Sequence, residues 1–288
     1  MKIAVAGATG RVGRHVVEVL EAQGHDVVPI SRSSGVDVIT GEGLAAALAG
    51  VECIIDVATG PSPEQQAATE FFTTAARNLQ QAGEQAGVRR IVVVSIIGTE
   101  RFAGGYGAAK VAHEQATLAG PIPVSVLRAA QFHEFVEQLV GWGTQGEVSY
   151  VQEMRTRPVA ARTVAEALAD LATAPSALPM SAIAGPREES LVELARLFVA
   201  RRDVPVKIEG VSDRPTRTLA CRSPAGCCPA RTRRSQARRS RNGSTRRRDR
   251  LPVRCRNPVR EIVVPVGHSA LSGRPDLGRG VDEGDTTQ

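Results

Sequence analysis

The chain begins with MKIAVAGATGRVG, residues 1–13, and this stretch decides the fold. Its apolar first half is typical of a buried β-strand, and its glycines predict a tight turn that opens a helix. Glycine lets backbone amides approach an anion closely, and a helix N-terminus carries a partial positive charge. The stretch therefore predicts a strand, a phosphate-binding turn and a helix, so a dinucleotide is the first ligand to consider.

The residues that follow supply the context that this glycine pattern needs. The spacing is G-x-x-G-x-x-G rather than G-x-G-x-x-G, and a glycine turn in a protein that binds no nucleotide is the alternative. A helical apolar face and a second strand at residues 25–30 favour the dinucleotide interpretation. The positions that we assign to the cofactor in this turn are Gly7, Thr9, Gly10, Arg11, Val12 and Gly13.

Strands and helices then alternate along the chain. Further strands are predicted at residues 36–39, 51–57, 90–95 and 124–128, and helices at residues 64–86, 106–118 and 187–202. Another helix is predicted to begin at an N-cap residue, Thr163. The helix at residues 187–202 is predicted to have an apolar face that includes Leu197. Six strands with crossing helices indicate an α/β fold, a doubly wound parallel sheet of the Rossmann-like type. Ligands of such sheets bind at the C-terminal ends of the strands.

Charge divides the chain into two parts. Residues 1–213 hold 18 Lys and Arg against 24 Asp and Glu, whereas residues 214–288 hold 18 Arg, no Lys and 6 acids. The first part is predicted to be the dinucleotide-binding domain, including a small substrate-side part at about residues 129–213. We call residues 214–288 the Arg-rich tail and expect it to be disordered.

Three interpretations of the Arg-rich tail remain open. A basic arm would bind nucleic acid, but the absence of lysine and of interleaved aromatics argues against this partner. A zinc site is disfavoured, because its four cysteines show no C-x-x-C spacing, and no metal is expected. The excess of Arg, Pro, Ala, Gly, Ser and Cys is also what a shifted reading frame of a GC-rich gene produces, and sequencing the gene would decide.

Residues at two other strand ends complete the expected cofactor site. Arg32 follows the second strand, where an acid would select NAD and an arginine pairs with a 2′-phosphate. This favours NADP over NAD. Ala58 and Thr59 follow the strand at residues 51–57 and would face the same cleft.

Tyr106 and Lys110 suggest proton-transfer chemistry. A spacing of four places the phenol and the ammonium on one helix face, one turn apart. A neighbouring ammonium lowers the pKa of a phenol, which would let Tyr106 exchange a proton with a carbonyl or alcohol.

With these residues the chain resembles the short-chain dehydrogenase/reductase superfamily, and within it the atypical, NmrA-like NAD(P)-binding branch. The resemblance covers about residues 1–211. It implies that Ser95, or else Thr99, hydrogen-bonds the substrate carbonyl, that Tyr106 donates the proton, and that Lys110 holds the nicotinamide ribose. Some members of this branch only sense the redox state of NADP and bind partner proteins.

The expected function is therefore NADPH-dependent reduction of a small carbonyl or quinone, with a non-catalytic NADP(H)-sensing regulator as the alternative. The partner in the first case is a small-molecule substrate, and the sequence does not indicate an oligomeric state. No segment approaches the roughly 18 apolar residues that span a bilayer, so no membrane partner is expected and we predict a cytoplasmic protein. Cys53 is predicted to be a small buried apolar residue in a reducing compartment.

Overall fold

The order of elements follows the predicted alternation. The computed structural model describes residues 1–101, 103–176, 178–212 and the strand Arg260–Ile262. Its first half contains β1 (Lys2–Ala6), α1 (Gly13–Ala22), β2 (Asp26–Ile30), α2 (Leu44–Ala47), β3 (Cys53–Asp56), α3 (Gln65–Ala86), β4 (Arg90–Ile96), α4 (Gly105–Leu118) and β5 (Val124–Ala129).

The second half contains shorter elements. They are α5 (Val136–Gly143), β6 (Thr144–Gln145), β7 (Val148–Gln152), β8 (Arg155–Thr156), α6 (Ala161–Thr173), β9 (Met180–Ile183), β10 (Glu189–Ser190), α7 (Leu191–Arg202), β11 (Lys207–Val211) and β12 (Arg260–Ile262).

A parallel sheet forms the centre of the described structure. Its strand order is β2-β1-β3-β4-β5-β9-β12, and every neighbouring pair is parallel. Apolar side chains cover both faces, which explains the nearly continuous apolar runs of β1, β3 and β4. One face packs against α1 and α6, and the other against α2 and α3. The predicted α/β doubly wound, Rossmann-like fold is confirmed.

A small C-terminal part lies beside this sheet. It pairs β11, β7 and β6 in a second sheet and places α5 and α7 against it. Its apolar core includes Val140, Val151, Leu191 and Ile208. This part follows β5 in the chain, and the structure thus contains the small C-terminal part that the sequence indicated.

Residues 36–39 do not form the predicted strand. The Asp37 carboxylate accepts hydrogen bonds from the backbone amides of Ile39 and Thr40 at 2.7 and 3.4 Å, so the chain turns instead of extending. The sixth strand that residues 1–212 contribute to the main parallel sheet is β9, which the sequence pattern did not predict.

Two predictions about helices are also wrong in detail. Thr163 lies inside α6, which begins two residues earlier. The backbone amide of Ala161 donates to the Glu134 carboxylate at 3.0 and 3.1 Å, so a residue distant in sequence takes the capping role expected of Thr163. Leu197, expected on the buried face of the helix at residues 187–202, is exposed in α7.

Cys53 is a buried free cysteine in β3, and burial raises the pKa of its thiol to about 12. Within the described residues, no helix combines the length and the apolar character needed to cross a bilayer. In the Arg-rich tail, β12 pairs with β9. The remaining predictions for the tail, including those on its cysteines, lie outside the described residues.

Candidate functional site

The glycine turn joins β1 to α1 through contacts that exclude side chains. A Cβ atom on Gly7 would lie 2.7 Å from the Cα atom of Ala58, and Gly7 has a φ of +80°. A Cβ atom on Gly13 would lie 2.1 Å from the Gly7 carbonyl oxygen. The turn therefore requires glycine at both positions, because backbone atoms occupy the space.

The N-terminus of α1 is open to a ligand. Val12 holds the N-cap position of this helix and provides no side-chain hydrogen bond, and the first turn contains no acidic residue. The amides of Arg11, Val12 and Gly13 donate no hydrogen bond among the described residues, so they are available to a phosphate group, which would also gain from the helix dipole. Thr9 and Gly10 are exposed on the same turn, and Thr59 is exposed after β3.

Arg32 lies just after β2, at the strand end where dinucleotide-binding folds recognise the 2′-phosphate of NADP. It begins a short 3-10 helix, Arg32–Ser34, whose N-cap Ser31 forms a capping box with Ser34. Its side chain is exposed and has no hydrogen bond or ion pair within the described part of the chain. The guanidinium is thus held on an ordered segment and is free to meet an anion.

Arg11 connects the glycine turn to the segment after β5. Its guanidinium donates a hydrogen bond to the backbone carbonyl of Glu134. Beside this contact lies a cavity of about 660 Å³ between the turn and the C-terminal part. The residues that line it are Arg11, Arg14, His133, Glu134, Glu137, Phe198 and Arg202.

Ser95 and Thr99 lie at the end of β4 and just beyond it, and both are buried beside a carboxylate. The Thr99 hydroxyl donates to Glu114 Oε1 at 3.3 Å. Burial alone would raise the pKa of Glu114, but hydrogen bonds from Arg128 and Thr99 outweigh it and hold that pKa below its ordinary value. The Ser95 hydroxyl has no hydrogen-bond partner among the described residues. Arg128 donates to the two Glu114 oxygens at 3.0 and 2.7 Å.

Tyr106 and Lys110 both lie on α4, one turn apart. The Tyr106 ring is half-buried and meets the Phe72 ring edge to face, with centroids 5.7 Å apart. The Lys110 ammonium donates to the Val94 carbonyl at 2.8 Å and lies 4.4 Å from the centre of the Phe72 ring. Lys110 therefore points into the protein, and its ammonium meets the backbone of β4.

Residues 7–175 match the model of a protein family described as NAD(P)H-binding. The chain belongs to the NAD(P)H-binding family. No curated protein matches the sequence.

Solved structures of NAD(P)-binding proteins share the fold. MoeE5 in complex with UDP-glucose and NAD is 20% identical, with a TM-score of 0.58 over 75% of this chain and 90% of that one. Triphenylmethane reductase of Citrobacter sp. complexed with NADP(H) is 22% identical, with a TM-score of 0.55 over 74% and 80%. The dTDP-4-dehydrorhamnose reductase of Bacillus anthracis in complex with NADP is 18% identical, with a TM-score of 0.57 over 73% and 84%.

In this member of the NAD(P)H-binding family, the expected effect of Lys110 on Tyr106 is absent. The spacing predicted that Lys110 would lower the pKa of Tyr106, but burial raises this pKa to about 12. The physical reason is that the phenol loses water on burial, while the Lys110 ammonium is directed toward Val94 and Phe72. Tyr106 thus keeps its proton at neutral pH.

Sequence reasoning missed two buried residues beside Lys110, namely His113, which contacts it, and Asp56, which contacts His113. His113 Nδ1 lies 2.9 Å from Lys110 Nζ, and His113 Nε2 lies 2.9 Å from Asp56 Oδ2. Asp56 ends β3, next to Ala58, and His113 lies three positions after Lys110 on α4. The spacing of Lys110 and His113 was the one available signal, because positions i and i+3 share a helix face.

Proposed function

We propose that the chain is an NADPH-dependent oxidoreductase that reduces a small carbonyl or quinone. The observation that carries the proposal is that three features lie at the same edge of the sheet, because each follows the C-terminal end of a parallel strand. They are the start of α1, which has no side-chain cap, Arg32, and the helix α4 that carries Tyr106. Membership of the NAD(P)H-binding family supports the cofactor. Two compared structures, of triphenylmethane reductase and dTDP-4-dehydrorhamnose reductase, are of named reductases that hold NADP(H) or NADP.

The chain has residues that fit both the pyrophosphate and the 2′-phosphate of NADPH. The turn would hold the pyrophosphate through the amides of Arg11, Val12 and Gly13, because those of Gly7 and Gly10 already donate to the carbonyls of Ile30 and Gly7. Arg32 would pair with the 2′-phosphate that distinguishes NADPH from NADH. NADPH supplies a hydride when it is bound.

Tyr106 would supply the proton in this reaction. Its pKa of about 12 keeps the phenol protonated at neutral pH, so it can donate to a substrate oxygen as negative charge develops there. Lys110 and Ser95 are proposed as its partners in the site. The Ser95 hydroxyl is buried and has no hydrogen-bond partner among the described residues, so it would be available to a substrate oxygen.

A second function has an observation of its own. The Lys110 ammonium is directed inward, toward the Val94 carbonyl and the Phe72 ring, as would suit a protein that binds NADP(H) without turnover. Such a protein would report the redox state of the cofactor through its contacts with another protein. Measuring turnover separates the two functions.

Replacing Arg32 with alanine tests the cofactor. We expect NADPH to bind about 10- to 100-fold more weakly to Arg32→Ala, because one charge-assisted contact is lost. NADH affinity should change by less than about threefold, since NADH has no 2′-phosphate. Isothermal titration calorimetry measures both.

Arg89→Ala is the matched control. Arg89 is exposed just before β4, at the opposite edge of the sheet, where it pairs with Glu52. Its loss should leave both affinities unchanged. An equal loss of NADPH and NADH affinity in Arg32→Ala would contradict the choice of NADPH. Failure of the wild-type protein to bind either cofactor would overturn the proposed function.

Replacing Tyr106 with phenylalanine tests the chemistry. The ring and its contact with Phe72 remain, but the proton donor is lost, so kcat should fall about 100- to 10,000-fold with little change in NADPH affinity. The assay follows NADPH oxidation with a panel of small carbonyl compounds and quinones. Tyr150→Phe is the control, because Tyr150 is the other tyrosine of the chain and lies in β7. Equal rates in wild type and Tyr106→Phe would rule out the assigned donor, and no turnover with any substrate would favour the redox sensor.

A further inference from the structure

A line of polar groups runs from the end of β3 to α4 inside the protein. Asp56, His113 and Lys110 are 1%, 1% and 4% exposed. His113 lies 2.9 Å from Asp56 on one side and 2.9 Å from Lys110 on the other. Burying three titratable side chains is costly unless each is paired, and here each one is.

The donors and acceptors in this line have one consistent direction. An ammonium can only donate, so Lys110 Nζ donates to His113 Nδ1, and the His113 Nε2 hydrogen then donates to Asp56 Oδ2. This requires a neutral imidazole beside an ionised carboxylate. The other Asp56 oxygen accepts from the backbone amide of Ala58 at 3.0 Å. Every polar atom of His113 therefore has a defined role.

Phe72 holds the plane of the His113 imidazole. Its ring stacks on the His113 imidazole with centroids 4.6 Å apart and an angle of 15° between the planes. The same ring lies 4.4 Å from Lys110 Nζ. One aromatic side chain of α3 thus limits rotation of His113 and also stabilises the ammonium through its π face.

We propose that Asp56 and His113 are positioning residues that hold the direction and the charge of the Lys110 ammonium. The catalytic consequence rests on the proposed function, in which Lys110 serves the cofactor and Tyr106. The positioning of Lys110 does not rest on the proposed function, since it concerns contacts that are present in the protein without a ligand. Asp56 also meets Ala58, the residue against which Gly7 packs, so the line begins beside the glycine turn.

The charges around Lys110 agree with this arrangement. Burial lowers its pKa to about 8, and the carboxylates of Asp56 on β3 and Glu114 on α4 act in the opposite direction. The remaining groups that face the line are the Tyr106 phenol on α4, the Val94 carbonyl on β4 and the Phe72 ring on α3. Arg128 on β5 is paired with Glu114. Burial and the Lys110 charge lower the pKa of His113, in keeping with a neutral imidazole.

Because the chain contains few lysines, the positioning role can be tested without an enzyme assay. The chain contains three lysines, namely Lys2, Lys110 and Lys207. In protein labelled with ¹³C-lysine, the three Cε signals can be followed through a pH titration, and Lys110→Met identifies the Lys110 signal. In Asp56→Asn, which keeps an acceptor for His113 but loses the charge, we expect the Lys110 midpoint to fall by about one pH unit or more. Lys2 and Lys207 should not change.

Two substitutions of His113 separate positioning from packing. Asn carries an acceptor at the position of Nδ1, so His113→Asn should keep the Lys110 midpoint closer to wild type than His113→Leu, which offers none. Gln80→Leu is the control, because Gln80 bonds to Thr117 and Ile122 across the same α3 and α4 pair, away from Lys110. It should lower stability without moving the midpoint.

Turnover provides the second measurement. If Lys110 serves Tyr106, the alkaline limb of the pH profile of kcat should move to lower pH in Asp56→Asn together with the NMR midpoint. An unchanged midpoint in both Asp56→Asn and His113→Leu, with the fold intact by circular dichroism, would overturn the positioning role. Absence of any turnover in wild type would instead contradict the proposed function and leave the NMR result standing.

Discussion

Gly7→Ala is expected to abolish dinucleotide binding and to lower the free energy of unfolding by about 3 kcal/mol. Gly7 has a φ of +80°, which strains any residue with a Cβ atom, and that atom would lie 2.7 Å from the Cα atom of Ala58. Neither side can yield cheaply, because both are backbone. The turn would have to open, and its amides would no longer converge on a phosphate. Urea denaturation and calorimetry with NADPH measure the two effects.

Gly24→Ala separates the strain of the dihedral angle from the close contact. Gly24 has a φ of +79°, almost the same as that of Gly7, but a Cβ atom there would have no neighbour within 4 Å. Its replacement should therefore cost only about 1 kcal/mol and leave NADPH affinity unchanged. Equal losses of stability in the two variants would show that the contact with Ala58 has no role.

Glu114→Ala should lower the free energy of unfolding by about 3 kcal/mol at pH 7. The substitution removes both hydrogen bonds that Arg128 donates to this carboxylate and leaves the guanidinium, 19% exposed, with Glu100 as its remaining ionic partner. It also removes the acceptor for the Thr99 hydroxyl. Urea denaturation of both proteins gives the difference.

The pH dependence and a surface control identify the cause. The pKa of Glu114 is below its ordinary value of 4.5 in the folded state, so its stabilisation is full above pH 4.5 and is lost as the pH falls through the folded pKa. The difference between wild type and Glu114→Ala should shrink accordingly. Glu18→Ala removes surface contacts with Arg162 and His15 and should cost less than about 0.5 kcal/mol. A loss as large as that of Glu114→Ala would contradict the role assigned to burial.

The main sheet could be predicted wherever a local pattern was strong. The glycine turn and the strands at β1, β3 and β4 follow from apolar runs and glycine spacing. Helix α3 was also predicted within one residue, since Glu64 caps its start and Gly87 adopts the left-handed conformation at its end. Each of these signals lies within a few residues of the element that it specifies.

The failures have a common physical origin in contacts that the local pattern does not contain. Residues 36–39 are apolar enough for a strand, but the Asp37 carboxylate turns the backbone. The start of α6 depends on Glu134, 27 positions away from Ala161. Leu197 was assigned by periodicity to a buried face of α7, although tertiary packing leaves that position exposed.

The candidate site shows the same division. The positions of the glycine turn and of Arg32 at the ends of β1 and β2 could be predicted from sequence, because each depends on the backbone near the residue. The surroundings of Lys110 could not, because Asp56 and His113 come from β3 and α4, 57 positions apart, and meet only in the folded protein. The direction of the pKa shift of Tyr106 depends on burial, which a spacing of four does not reveal.

The scarcity of exposed lysine has a practical consequence for handling the protein. Lys2 begins β1, at the edge of the sheet opposite the glycine turn, and Lys207 begins β11. Lys110 is buried and shielded from reagents in bulk water. Attachment of a dye or a sensor surface through lysine side chains would therefore occur at Lys2 and Lys207, and attachment at Lys2 would leave the glycine turn accessible to ligands in solution.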